Sequence, residues 1–247
     1  MKWLPISISF FAFSLPLYSQ TSSVLAQSYP TPKTWQISQK FKPRVDDKAN
    51  PPTVGAATRG SSCLENQQEI TPLLPVNKSG LTFNDRPTFF VHIPLTQLQT
   101  AEFSIIDAQK KIIYKTNLTL PQTSGIISFT LPQNSPPLKV NTSYRWYLTL
   151  ICDSEDSSTN PYVEGLVKVI PADVQLSDSL AKADLLQKPT LYAQAGIWYE
   201  ALANLVKLRC TQPDNLTVQQ NWQEFLASVE LNNIATASLL NSCTTKN

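Results

Sequence analysis

One histidine, His92, serves the whole 247-residue chain. A metal site built from two or three imidazoles of this chain is therefore excluded, and Ser–His or Cys–His catalysis would have to run through that one ring. Glycine is scarce at six. Those six form neither G-x-G-x-x-G nor G-x-x-x-x-G-K, so no phosphate-cradling loop is present. No G-x-S-x-G nucleophile motif occurs either. Charge is also sparse: charged residues make up 15%, against roughly 25% in an average soluble domain. Lys and Arg number 20 against 18 Asp and Glu, and a net charge of +2 lacks the basic excess of a nucleic-acid binder. No cofactor, no resident metal and no nucleic-acid partner is expected. What the chain does have is 19 prolines and a 42% hydrophobic content. That is enough apolar material for an ordinary core, in a composition that fits an exported β-rich protein.

Residues 1–26 read as a secretory signal peptide. Lys2 supplies the positive start, and an apolar stretch runs from Trp3 to Tyr18. Pro5 and Pro16 interrupt it, and it falls short of the about 20 residues a spanning helix needs. Val24, Leu25 and Ala26 place the cleavage between Ala26 and Gln27. No cysteine follows that point, so a lipid anchor is not expected. No later apolar run approaches spanning length. The mature chain is expected outside the cytoplasm, in the periplasm, the outer envelope or the medium. Its oligomeric state is not legible.

Four cysteines survive cleavage: Cys63, Cys152, Cys210 and Cys243. An even number in an oxidising compartment points to two disulfides, for which three pairings exist. Cys63–Cys152 with Cys210–Cys243 is favoured, because the first two flank a β-rich region and the last two lie in a helical one. The wide spacings and the absence of C-x-x-C argue against zinc.

Composition divides the chain further. From Gln27 to about Ser62, five prolines and six basic residues without periodicity read as a disordered or extended tether. A basic arm for an anionic glycan, lipid or nucleic acid is the functional alternative. Residues 63–172 read as a β-sandwich. Seven short apolar segments recur there: Gly80–Phe83, Thr88–Ile93, Glu102–Asp107, Ile112–Leu120, Ile126–Leu131, Ser143–Cys152 and Tyr162–Ile170. In the sixth, Tyr144, Trp146, Leu148, Leu150 and Cys152 share one face, and Arg145, Tyr147, Thr149 and Ile151 share the other. Asp107–Lys110 reads as a hairpin turn. Leu138 lies six residues before Tyr144, which opens a strand. That spacing resembles the tyrosine corner of fibronectin type III and immunoglobulin-like domains, and it implies that the Tyr144 hydroxyl bonds to nearby backbone.

Residues 173–243 read as a helical subdomain. Ser177-Asp178 can cap a helix running through Leu186, and Pro189 suits the first turn of the next. Trp198, Ala201, Leu202, Leu205 and Leu208 follow helical spacing. Thr217–Gln220 fits a capping box before the stripe of Trp222, Phe225, Leu226 and Val229. A last helix is expected from Leu231 to Asn241. The segment from Tyr192 to Leu202 resembles a tetratricopeptide-like hairpin, with Gly196 letting two short helices approach. The fold class is thus α+β with the two parts segregated.

Further stretches carry a family resemblance: Thr58-Arg59-Gly60 before Cys63, Gly80-Leu81-Thr82, Arg86-Pro87-Thr88-Phe89-Phe90 and Ala101-Glu102-Phe103. Tyr144-Arg145-Trp146-Tyr147, Ile151-Cys152-Asp153, Val163-Glu164-Gly165, the Tyr192–Leu202 segment and the Trp222 helix continue it. In this order they resemble the cyanobacterial family described as domain of unknown function 928, over roughly residues 58 to 235. The resemblance implies an exported cyanobacterial protein. It brings no activity and no catalytic residue.

Candidate chemistry narrows to carboxylates. Asp153, Glu155 and Asp156 follow Cys152 among Ser154, Ser157, Ser158, Thr159 and Asn160. Such oxygen-rich surroundings could hold Ca²⁺, and a pair of carboxylates could run glycoside hydrolysis. A solvated turn explains them more simply. Glu164 is placed to pair with Arg145 across strands. His92, on the face of its strand opposite Phe89, Val91 and Ile93, reads as a rim residue. Trp146, Trp198 and Trp222 read as core, and Trp35 as a docking anchor in the tether. The expected function is a non-catalytic envelope interaction or scaffold protein that presents a protein or glycan surface. The alternative is a glycan-active enzyme using Asp153, Glu155 or Glu164.

Overall fold

The structure, a computed structural model, describes residues 41, 64 and 68–243. The expected signal peptide, Trp35 and Cys63 lie outside the described residues. Alternating apolar and polar residues build the strands β1 (Thr71–Pro72), β2 (Ser79–Thr82), β3 (Thr88–Ile93), β4 (Thr100–Ile106), β5 (Ile112–Thr119), β6 (Gly125–Thr130), β7 (Thr142–Leu150) and β8 (Tyr162–Val169). The sequence reading passed over β1, which is only two residues long. The strands form a three-stranded sheet, β1-β3-β6, and a five-stranded sheet, β2-β8-β7-β4-β5. Neighbours run antiparallel except β2 and β8, which are parallel. The inner face of the larger sheet carries Phe103, Ile105, Trp146, Leu148 and Val167, each 1% exposed or less. Burying each of these side chains contributes about 1.5–3 kcal/mol relative to leaving it in water.

Four helices follow among the described residues: α1 (Val174–Lys182), α2 (Lys188–Gln194), α3 (Trp198–Thr211) and α4 (Leu216–Ala227). Their caps differ from expectation. Asp173, not Ser177-Asp178, caps α1 by accepting the Leu176 N–H at 2.9 Å. Asn215, not a Thr217 capping box, caps α4 by accepting from Thr217 and Val218. In both cases an Asp or Asn at the true boundary, in extended backbone, offers its side-chain oxygen to the orphan amides. Pro189 does sit in the first turn of α2. Gly196 lies at φ 72°, where a side chain would be strained. There it closes α2 with Ile197 N–H bonded to the Tyr192 carbonyl and turns the chain directly into α3.

The helices do not close a core of their own. Trp198, Tyr199, Leu202 and Phe225 belong to the same apolar cluster as Phe89, Phe103 and Trp146. The Trp146 indole donates to the Tyr199 hydroxyl (2.9 Å), which donates to the Leu166 carbonyl (3.1 Å). The Trp198 indole donates to the Leu73 carbonyl at 3.0 Å. Gly165 makes room for this joint, because a Cβ there would run into Trp146 and Leu74. The region read as a tether also contributes: Phe41 is buried and stands edge-on to the Trp198 ring.

The expected helix from Leu231 to Asn241 is absent. Asn232–Ile234 makes one 3-10 turn, and the chain then runs extended along the free edge of β6. Ile126 donates to the Ser238 carbonyl (2.7 Å), and Leu240 donates to the Ile126 carbonyl (2.9 Å). The Asn241 side chain accepts from the Ser128 N–H and donates to the Ser128 carbonyl. An open sheet edge attracts any strand that can pair with it. Here Leu239 and Leu240, expected within the helix, cover that edge instead. Cys243, just beyond, is bonded to Cys210 on α3. Cys152 is also disulfide-bonded.

Candidate functional site

The outer face of the five-stranded sheet is where side chains with chemistry gather. Register sets it out in rows. Ile106 lies opposite Arg145, and Arg145 opposite Leu166. The next row is Ser104, Tyr147 and Glu164; the one after is Glu102, Thr149 and Tyr162. Arg145 and Glu164 are therefore diagonal neighbours, and the Arg145 Nη1 donates to Glu164 Oε2 at 2.8 Å. The Glu164 side chain is only 7% exposed, while Arg145 keeps 32%. Tyr147 and Tyr162 meet above the pair at 5.9 Å, with their rings inclined by 60°. Burial pushes the Tyr147 phenol up, and the Glu164 carboxylate beside it adds to the effect. Together with the Asp107–Lys110 hairpin turn these residues line a groove of ≈ 610 Å³. The turn is closed by its own bonds: Asp107 Oδ1 accepts from Gln109 and Lys111, and Lys110 adopts φ 63°.

The acidic loop between β7 and β8 is organised from within. Asp153 Oδ1 accepts from the Glu155 and Asp156 amides. Asp156 caps the 3-10 turn Ser157–Thr159, and its bonds from Ser158 hold its carboxyl below the usual range. Glu155 is exposed and contributes its N–H. Buried Asn160 ties the loop together, accepting from Cys152 and Asp153 (both 2.9 Å) and donating to the Asp153 carbonyl (2.8 Å). Among the described residues no group of three His, Cys, Asp or Glu could hold a metal ion. The structure does not gather Asp153, Glu155 and Glu164 into one site: Glu164 lines the sheet groove, and the two loop carboxylates do not.

Other candidates are structural. The Tyr144 hydroxyl accepts the Lys139 N–H at 3.0 Å. His92 is half-buried, with Nε2 at 3.4 Å from Ser124 Oγ, and burial lowers its pKa. Trp146, Trp198 and Trp222 are buried, each with its indole N–H bonded.

The sequence reading missed Glu200. Its Oε1 accepts from the Thr82 hydroxyl (2.6 Å) and from the amides of Phe83 (3.0 Å) and Asn84 (3.1 Å), clamping α3 to the turn after β2. Its Oε2 is buried with no hydrogen-bond partner among the described residues, and burial raises its pKa. A lone acid near a helix start gives no sign of a partner 117 residues away.

A family model described as Domain of Unknown Function (DUF928) matches residues 54–239. No curated protein matches the chain. Among solved structures, the chain is similar to the CARDB domain of a Pyrococcus furiosus protein, crystallised in complex with di-metal ions. Identity is 16%, over 41% of this chain and 84% of that one, with a TM-score of 0.25. It is also similar to the β-glucuronidase of Parabacteroides merdae, at 8% identity over 70% of this chain and 28% of that one, with a TM-score of 0.24.

Proposed function

The chain belongs to the DUF928 family, and from that premise we propose that it is an exported, non-catalytic interaction or scaffold protein of the cell envelope. One observation carries this reading: the fold engages Glu164, Asp153 and Asp156, and of the candidate carboxylates Glu155 keeps an exposed side chain away from the groove. Glu164 is paired with Arg145, Asp153 and Asp156 bond their own loop, and Glu200 clamps α3. A general acid or base must instead be free to meet a substrate proton. Export is supported by the amino-terminal signal pattern and by the disulfides at Cys152, Cys210 and Cys243. Among the described residues no helix is long and apolar enough to cross a membrane.

Expression of the full chain in a bacterium, followed by fractionation and intact-mass analysis, tests the compartment. The expected product begins at Gln27 and gains four alkylated thiols only after reduction. In-cell crosslinking of the same preparation is expected to join it to a defined envelope component. Turnover of a glycan or peptide that a single carboxylate substitution abolishes would overturn the reading.

A further inference from the structure

We propose that the groove on the outer face of the five-stranded sheet binds a neutral saccharide, with Tyr147, Tyr162, Arg145 and Glu164 as its contacts. This deepens the interaction reading above and rests on it. Three features carry it. The first is aromatic: Tyr162 is 38% exposed and inclined to Tyr147. The edge-to-face contact leaves Tyr162 partly exposed at the groove, and an exposed ring face of negative potential suits the polarised C–H face of a sugar ring.

The second is polar. Arg145 has five N–H donors, and among the described residues it spends one of them, on Glu164. The remaining fork stands at the groove, partly exposed. Burying an ion pair is repaid only where its spare donors and lone pairs find partners. A vicinal pair of hydroxyls offers both acceptors and donors at that spacing. Tyr147, held in its protonated form with its hydroxyl turned to Glu164, adds an oxygen that can accept from a sugar hydroxyl.

The third feature is charge. The groove's ionic residues are Asp107, Lys110, Arg145 and Glu164, two of each sign. A polyanion, an acidic peptide or a basic peptide would meet no net attraction. A neutral polyol fits a mouth that is rich in hydrogen bonds and balanced in charge. The hairpin turn and the paired strands fix the groove before any ligand arrives, so little ordering opposes binding.

Native affinity electrophoresis of the mature protein through gels containing laminarin, galactomannan or alginate tests this. The neutral laminarin or galactomannan is expected to retard the protein. Tyr162→Ala should weaken that retardation at least about tenfold and Tyr147→Phe about threefold, in line with an aromatic anchor and a single lost hydroxyl. Lys182→Ala, on α1, should change nothing. Tyr162 is partly exposed, so its variant should melt like the parent. Retardation untouched by Tyr162→Ala, retardation by acidic alginate alone, or none in any gel would each overturn the saccharide site while leaving the interaction reading in place. Cleavage of either neutral polysaccharide, abolished by a carboxylate substitution, would overturn both.

Discussion

The acidic loop after β7 and the tail after α4 differ in where their bonds go. The loop's hydrogen bonds close within ten residues, while the Cys152 disulfide reaches outside it: Asn160, Asp153 and Asp156 bond neighbours. The tail is satisfied across the molecule, by Ser128 through Asn241 and by Cys210 through Cys243. One is a local structure that a short peptide pattern can specify. The other exists only because β6 leaves an edge open. Function candidates concentrated by sequence fell in the loop, yet the groove that the fold assembles, like the tail, depends on pairings between distant segments.

The largest effect should come from cutting the tail's anchor. Cys243→Ala paired with Cys210→Ala frees a link between residues 33 apart and should cost about 3.7 kcal/mol, read as a lower denaturation midpoint. Next, Asn160→Ala removes three hydrogen bonds from a buried side chain and should cost about 2 kcal/mol. If the loop is as self-contained as it looks, amide exchange should rise there and leave β6 protected. Asn241→Ala should cost about 1 kcal/mol and raise exchange at Ser128, the reverse pattern. Equal exchange patterns in the two asparagine variants would erase the distinction between the segments.

The smallest effect concerns pH and the Glu200 clamp, another long-range tie. Its pKa is raised by burial, so the folded protein holds a proton that the unfolded chain releases. Its contribution to stability is therefore full below the ordinary glutamate range and falls as pH rises toward the folded value. Glu200→Gln should flatten that decline, with melting temperatures at pH 5 and pH 8 brought closer together than in the parent. A steeper decline in the variant would sink this account.

Much of the fold was legible because β7 alternates without a break: Tyr144, Trp146, Leu148 and Leu150 are buried as their spacing demands. Helix α3 was legible for the same reason, with its period of 3.6. The tail was not: a helix was expected from Leu231 to Asn241, and nothing in that stretch of sequence speaks of β6. The groove was half legible. Arg145 and Glu164 could be paired by reasoning about strands, but Tyr147 and Tyr162 are brought together only by the β7–β8 register. Glu200 had no local signal at all.

The adjacent pair Trp198 and Tyr199 makes the helices spectroscopically inseparable from the sheets. Two indoles, Trp146 and Trp198, lose their hydrogen-bond partners the moment α3 departs, and both would shift their emission together. Heat should thus take the described molecule apart in a single cooperative step visible from either side of the joint, with no intermediate in which strands survive the loss of α3.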